Sequence, residues 1–127
     1  MTKAYKVPTI GALLEGNTLQ QQVPMDKVGE NFRRFYVDST LHQKDLRDKS
    51  NKGWETWGQE KFTELARKNP VHFLSKSKFF NYDEVNRVFY LSAELKPYMG
   101  AELAGHIRDI LEFRRINYFR RRFKEDV

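Results

Sequence analysis

From residue 26 onward the apolar positions recur at helical spacing, whereas the first 25 residues show no sustained period. In that first stretch Pro8, Gly11, Gly16 and Pro24 interrupt the chain, and Gln20, Gln21 and Gln22 read as a linker or arm. A short helix from Thr9 to Glu15 fits there, with Thr9 as cap and Gly16 as stop. Residues 1–25 are therefore expected to be an irregular N-terminal arm, and residues 26–127 a single helical domain.

Asp26 is the expected cap of a helix running to about Asp38. Val28, Phe32, Phe35 and Tyr36 stand at i, i+4, i+7 and i+8 and make one apolar stripe, with Arg33 and Arg34 outside it. Ser39 or Thr40 then caps a second, more polar helix to about Lys49, and residues 50–53 read as a turn. A third helix is predicted from near Thr56 to Asn69. Pro70 should end it, because a residue preceding proline is biased away from helical angles. Trp54, Trp57, Phe62 and Leu65 are its apolar residues, and the two tryptophans are assigned to the core.

Beyond Pro70 the period changes. Phe79 to Tyr82 and Arg87 to Leu91 are rich in aromatic and β-branched residues, and residues 83–86 join them, which predicts a hairpin near 79–91. Ser92 opens a further helical turn, Pro97 interrupts, and a long helix follows from about Gly100 to Lys124. The fold class is then mostly α with a small β-hairpin, an α+β chain. Three helices, a hairpin and a closing helix form an order that resembles the winged-helix variant of the helix-turn-helix plan. That resemblance implies a third helix in the major groove and a hairpin wing on the backbone.

The closing helix has two apolar regions. Leu103, Ile107, Ile110 and Leu111 form a stripe expected to pack on the core, while Phe113, Ile116, Phe119 and Phe123 cluster on nearly the opposite side. Those four are the candidate partner interface, whether for a second copy or a larger protein assembly. Arg108, Arg115 and Arg122 recur every seven residues, with Arg114 and Arg121 beside them.

Charge sharpens this picture. The net charge is +6, and residues 113–127 carry six Lys/Arg against two acids, so most of the excess is concentrated at one end. Arginine suits phosphate because its planar fork gives two directed hydrogen bonds. Aromatics at 14% argue for a folded chain. The absence of cysteine removes disulfides and a thiol nucleophile and suits a cytoplasmic location. No apolar run has the length of a membrane span.

Little in the sequence points to catalysis. His42, His72 and His106 have no metal-ligand spacing, and His72, following Pro70 and Val71, is expected to be half-buried. Asp83 and Glu84 read as the polar loop of the hairpin. There is no glycine-rich phosphate loop and no nucleophile elbow. The expectation is a binding module without cofactor, metal or active site. Nucleic acid is the favoured partner, DNA before RNA and duplex DNA first. Gln59, Thr63, Arg67 and Lys68 are the candidate groove contacts, Lys76, Lys78 and Arg87 the candidate phosphate contacts near the hairpin, and Arg114, Arg115, Arg121 and Arg122 the added charge. The alternatives are a protein-interaction subunit docking on an acidic partner, or an accessory domain of a larger nuclease or helicase system.

Overall fold

The architecture comes from a computed structural model that describes residues 3–123. The chain is mostly helical, with two small antiparallel sheets and a long C-terminal helix. Helix α1 spans Lys6–Gly11, followed by strands β1 (Leu14–Glu15), β2 (Thr18–Leu19) and β3 (Gln22–Pro24). Helix α2 is Met25–Val37, α3 is Thr40–Gln43, α4 is Gln59–Ala66 and α5 is His72–Leu74. Strands β4 (Phe80–Asp83) and β5 (Val88–Leu91) form the hairpin, and α6 is Ala101–Phe123.

The apolar stripe of α2 behaves as its spacing predicts: Val28, Phe32 and Tyr36 are fully buried and Phe35 is half-buried. The helix starts two residues earlier than expected. Pro24, in extended conformation, precedes Met25, so Asp26 lies inside the first turn, where its carboxylate faces the positive end of the helix dipole. Helix α4 crosses α2 closely at Gly29, where a Cβ would come within 1.9 Å of Thr63 Oγ1 and 2.7 Å of Thr63 Cα. Only glycine permits that approach.

Residues 3–25 are not an irregular arm. Ala4, Tyr5, Val7, Ala12, Leu13, Leu19 and Val23 are all buried in the core. The helix lies at 6–11 rather than 9–15, and Gly16, at φ +58°, makes the tight turn between β1 and β2. Elements this short contain too few residues to show a period. The arm is tied down further by Asn31 Nδ2 donating to the Pro8 carbonyl at 2.7 Å and Asn51 Nδ2 donating to the Tyr5 hydroxyl at 2.9 Å.

The hairpin forms where predicted, and β3 adds a strand the sequence did not announce. The sheet order is β3-β5-β4, with Val23 and Tyr82 both paired to Phe89. In the loop, Asp83 Oδ1 accepts from the Asn86 amide at 3.1 Å, and Arg87 takes a left-handed φ of +54°.

The second and third predicted helices also differ in extent from expectation. The second helix is short: Ser39 caps it by accepting from the His42 amide at 3.2 Å, and it tightens into a 3-10 turn at Lys44–Leu46. The third does not end at Pro70. The chain widens into a π-type turn over Arg67–Val71 and continues as α5. Widening accommodates a ring that has no N–H and would crowd the carbonyl four residues back.

Helix α6 is the largest correction. Among its inward residues Leu103, Ile107, Leu111, Arg115, Phe119 and Phe123 are spaced by four and each is buried or half-buried, with Ala104 and Tyr118 packed beside this row. Four residues advance about 40° beyond a full turn, so one contact row spirals around the helix. The two apolar stripes read from the sequence are the ends of this single row. Phe119 is therefore part of the chain's own core and not a free partner surface, and Phe123 stacks on it. Ile116 is half-buried, Ile110 is exposed where packing was expected, and Phe113 is 68% exposed.

Candidate functional site

Thr63 is buried against Gly29, and its hydroxyl donates to the Gln59 carbonyl at 3.0 Å while accepting from Gln59 Nε2 at 3.2 Å. Neither Thr63 nor half-buried Gln59 stands out as a groove contact. The depression they line is acidic: Asp26, Glu30, Glu60 and Glu64 share it with Arg87, whose guanidinium is 3.9 Å from Asp26. Three of these carboxylates hold nearby cations, Glu30 with Lys27 and Arg34, Glu64 with Arg67 and Asp26 with Arg87, so this face offers phosphate little unspent positive charge.

The segment that follows is richer in cations. The π-type turn and the hairpin enclose a groove lined by Arg67, Lys68, His72, Ser75, Tyr82 and Glu84. The Tyr82 hydroxyl is buried and has no hydrogen-bond partner among the described residues. Arg67 pairs with Glu64, which pulls that carboxyl below its ordinary range and raises the guanidinium. Lys68 Nζ lies 4.0 Å from the same carboxylate and is exposed. His72 is exposed, against the expectation of a half-buried ring, because it sits on the outer face of α5 while Val71 and Leu74 point inward. The Ser75 hydroxyl donates to the Val71 carbonyl at 2.7 Å, which leaves its oxygen as an acceptor.

Past the groove the chain exposes two aromatic rings beside lysines. Phe73, 51% exposed, has Lys76 Nζ 5.3 Å from its centroid. Phe79, 42% exposed, has Lys78 Nζ at 5.7 Å, the same ammonium lying 4.0 Å from Glu94. Sequence reasoning named the lysines and missed the rings. Phe79 directly follows the Ser75–Lys78 run and Phe73 precedes it with Leu74 between, and an aromatic in either place reads as core until the burial is known.

The α6 arginines do not share one surface. Arg115 is half-buried and paired with Glu112, while Arg114 and exposed Arg121 lie on a different side of the helix from Arg115 and Arg122. The Arg122 guanidinium sits 5.8 Å over the Phe123 ring.

A second polar cluster went unread in the sequence. Asp45 is buried, and its carboxylate accepts from the Ala4 amide at 2.9 Å, the Tyr36 hydroxyl at 2.8 Å and the Tyr118 hydroxyl. Burial, then Asp45 itself, pushes both of these tyrosines above their ordinary range. Nearby, burial pushes Tyr5 up to about 12. Lys3 donates to the Asp45 carbonyl at 2.7 Å and pairs with Asp48 at 2.8 Å, which brings Asp48 down to about 2. With three donors on one carboxylate the cluster joins α2, α6 and the start of the chain, a structural pin rather than an open site. Among the described residues no group of three His, Cys, Asp or Glu side chains is placed to hold a metal, and no helix is long and apolar enough to cross a membrane.

The chain matches no protein-family model, and no curated protein or solved structure is significantly similar to it.

Proposed function

We propose that the protein binds nucleic acid through the surface formed by residues 67–82, with a backbone phosphate in the groove beside Tyr82. The observation that carries this reading is the unpartnered Tyr82 hydroxyl in a groove whose cations are Arg67 and Lys68. A buried hydroxyl without a partner is costly, and a small outward shift of the ring would bring it to a phosphate oxygen in the groove. Exposed Phe73 and Phe79 offer flat faces to unpaired bases, and Lys76 and Lys78 offer further phosphate contacts.

The topology is compatible with a winged-helix-like plan. Strand β3 precedes α2 and pairs with β5, so a three-stranded sheet flanks the packed α2–α4 pair. The polarity of the surfaces shifts the interface from the Gln59 face of α4 to the turn and hairpin that follow it. It also shifts the favoured ligand from a duplex groove toward a strand with unpaired bases.

The test is fluorescence anisotropy with labelled oligothymidylate, its duplex and oligouridylate at about 50 and 200 mM salt. Three or four phosphate contacts to a single strand imply roughly a 20- to 50-fold loss of affinity across that range, since each contributes about 0.7 to the salt slope. K68A/K76A should flatten the slope by about 1.4. A flat response in the unaltered protein, or an unchanged slope in that variant, overturns the reading. Tighter duplex binding would restore the groove interpretation.

A further inference from the structure

A concavity with mostly apolar walls lies elsewhere, on the far end of the sheet from the hairpin loop. A cleft of about 420 Å³ opens between α1, the start of β4 and α6. Val7, Ile10, Phe80, Ile107, Ile110 and Leu111 form its walls, and its only charged lining residues are Lys6 and Arg114, both cations. Neither is ion-paired among the described residues. The apolar surface does not stop at the cleft. Ile110 and Arg114 also belong to the adjoining outward face of α6, with His106, Asp109, Phe113 and Asn117. On that face Ile110 is 40% and Phe113 68% exposed.

From this we infer that the cleft and the adjoining face of α6 dock an amphipathic helix of a partner protein, its apolar stripe in the cleft and its acidic flank against Lys6 and Arg114. The inference shares only Phe80 with the 67–82 stretch and uses none of the cations or exposed rings assigned there to nucleic acid. Three observations select this occupant. Apolar walls exclude a phosphate backbone as the main ligand. The exposed surface continues over Ile110 to Phe113, which a small amphiphile confined to the cleft would leave uncovered, whereas a helix presenting residues at i, i+4 and i+7 would span both. A second copy of this chain is disfavoured by charge. In a two-fold pair the same patch meets itself, so Lys6 and Arg114 of both copies would bring four cations into one seam. Asp109 is the one acid on the outward face, and it lies about a half-turn from Arg114 around the helix, away from the cleft.

The experiment uses the full chain and three designed helical peptides of equal leucine content, with flanks of glutamate, of lysine and of alternating serine and glutamine. Sodium laurate serves as a small amphiphile. Binding is read by anisotropy of labelled peptide, oligomeric state by sedimentation, and folding of each variant by circular dichroism. The glutamate-flanked peptide should bind at least 10-fold more tightly than the lysine-flanked one. I110D should weaken it at least 10-fold, and K6E/R114E should reverse the preference between the two charged peptides. Both variants change exposed positions and should keep the wild-type melting temperature. Equal binding of all three peptides, binding insensitive to I110D and K6E/R114E, binding of laurate but no peptide, or a dimer dissociated by I110D would each overturn the inference. Loss of oligonucleotide binding in K68A/K76A with peptide binding intact would separate this surface from the first.

Discussion

The ring of Phe119 lies against the imidazole of His42, centroids 4.6 Å apart and planes within 27°, and Phe35 stacks on the same imidazole at 4.1 Å. The last turns of α6 are thereby fastened to the end of α2. Phe119→Ala should cost about 3–5 kcal/mol of stability, the range for emptying a buried phenylalanine site. Phe113→Ala on the outward face should stay within about 0.5 kcal/mol. Urea denaturation of both variants checks this, and equal losses would contradict the docking described.

The same imidazole makes stability depend on pH. Burial, the largest influence, lowers the His42 pKa below its ordinary 6.5, with Arg115 adding to the effect. The unfolded chain therefore takes up a proton at a higher pH than the folded one. Stability is fully present above about pH 6.5 and is lost progressively as pH falls from there toward the lower folded value. Asp48, Glu64, Asp83 and Glu112 are depressed carboxyls that act below their own ordinary values of 3.8 or 4.5, outside this window. Denaturation midpoints at pH 7.5 and 5.5 should differ in the unaltered protein and converge in His42→Gln.

Gly29→Ala should destabilise by about 1–3 kcal/mol or more, since a methyl there meets Thr63 at 1.9 Å. Thr63→Ala in the same chain should recover part of the loss, but not all. The new Cβ would still stand 2.7 Å from the Thr63 Cα, which no side-chain change removes. A double-mutant cycle measures the coupling.

Asp45→Ala should be among the most damaging single changes. It strips the acceptor from the Ala4 amide and from two tyrosine hydroxyls, and each buried donor left unpaired costs about 1–3 kcal/mol. Tyr118→Phe removes only one bond to the carboxylate, worth about 1.5–3 kcal/mol. Its signature should be faster amide exchange in the last turns of α6 with little change in α4.

Tyr82→Phe should separate stability from binding. Removing a buried hydroxyl that has no partner should leave the fold equally stable or stabilise it by about 1 kcal/mol. On the proposed function it should weaken oligonucleotide binding. Parallel denaturation and anisotropy measurements read both signs, and a destabilised variant would mean that the hydroxyl is satisfied in solution.

Much of the lysine surface was legible because charge on Lys68, Lys76 and Lys78 is unlikely to be buried whatever the fold. The rings of Phe73 and Phe79 were not legible, because an aromatic residue carries no mark of whether it faces the core or water. Tyr82 was read as an ordinary hairpin residue. Its lack of a partner depends on which chains surround it, and local sequence does not specify them.

The sequence by itself determined the elements with enough residues to repeat: the α2 stripe, the hairpin, and a long closing helix rich in arginine. Period and residue type act over neighbours, so they are complete within one segment. Tertiary structure alone decided three matters. It drew residues 3–25 into the core, because elements of two to six residues owe their shape to packing. It carried the helix past Pro70, because a wide turn there is compatible with burial of Val71 and Leu74. It joined the two stripes of α6 into one spiral row, because a helix crossing a body at an angle buries a different side at each end. The charged end of that helix, conspicuous in the sequence, was divided among a half-buried ion pair, exposed positions and the rim of a cleft by the direction of that crossing.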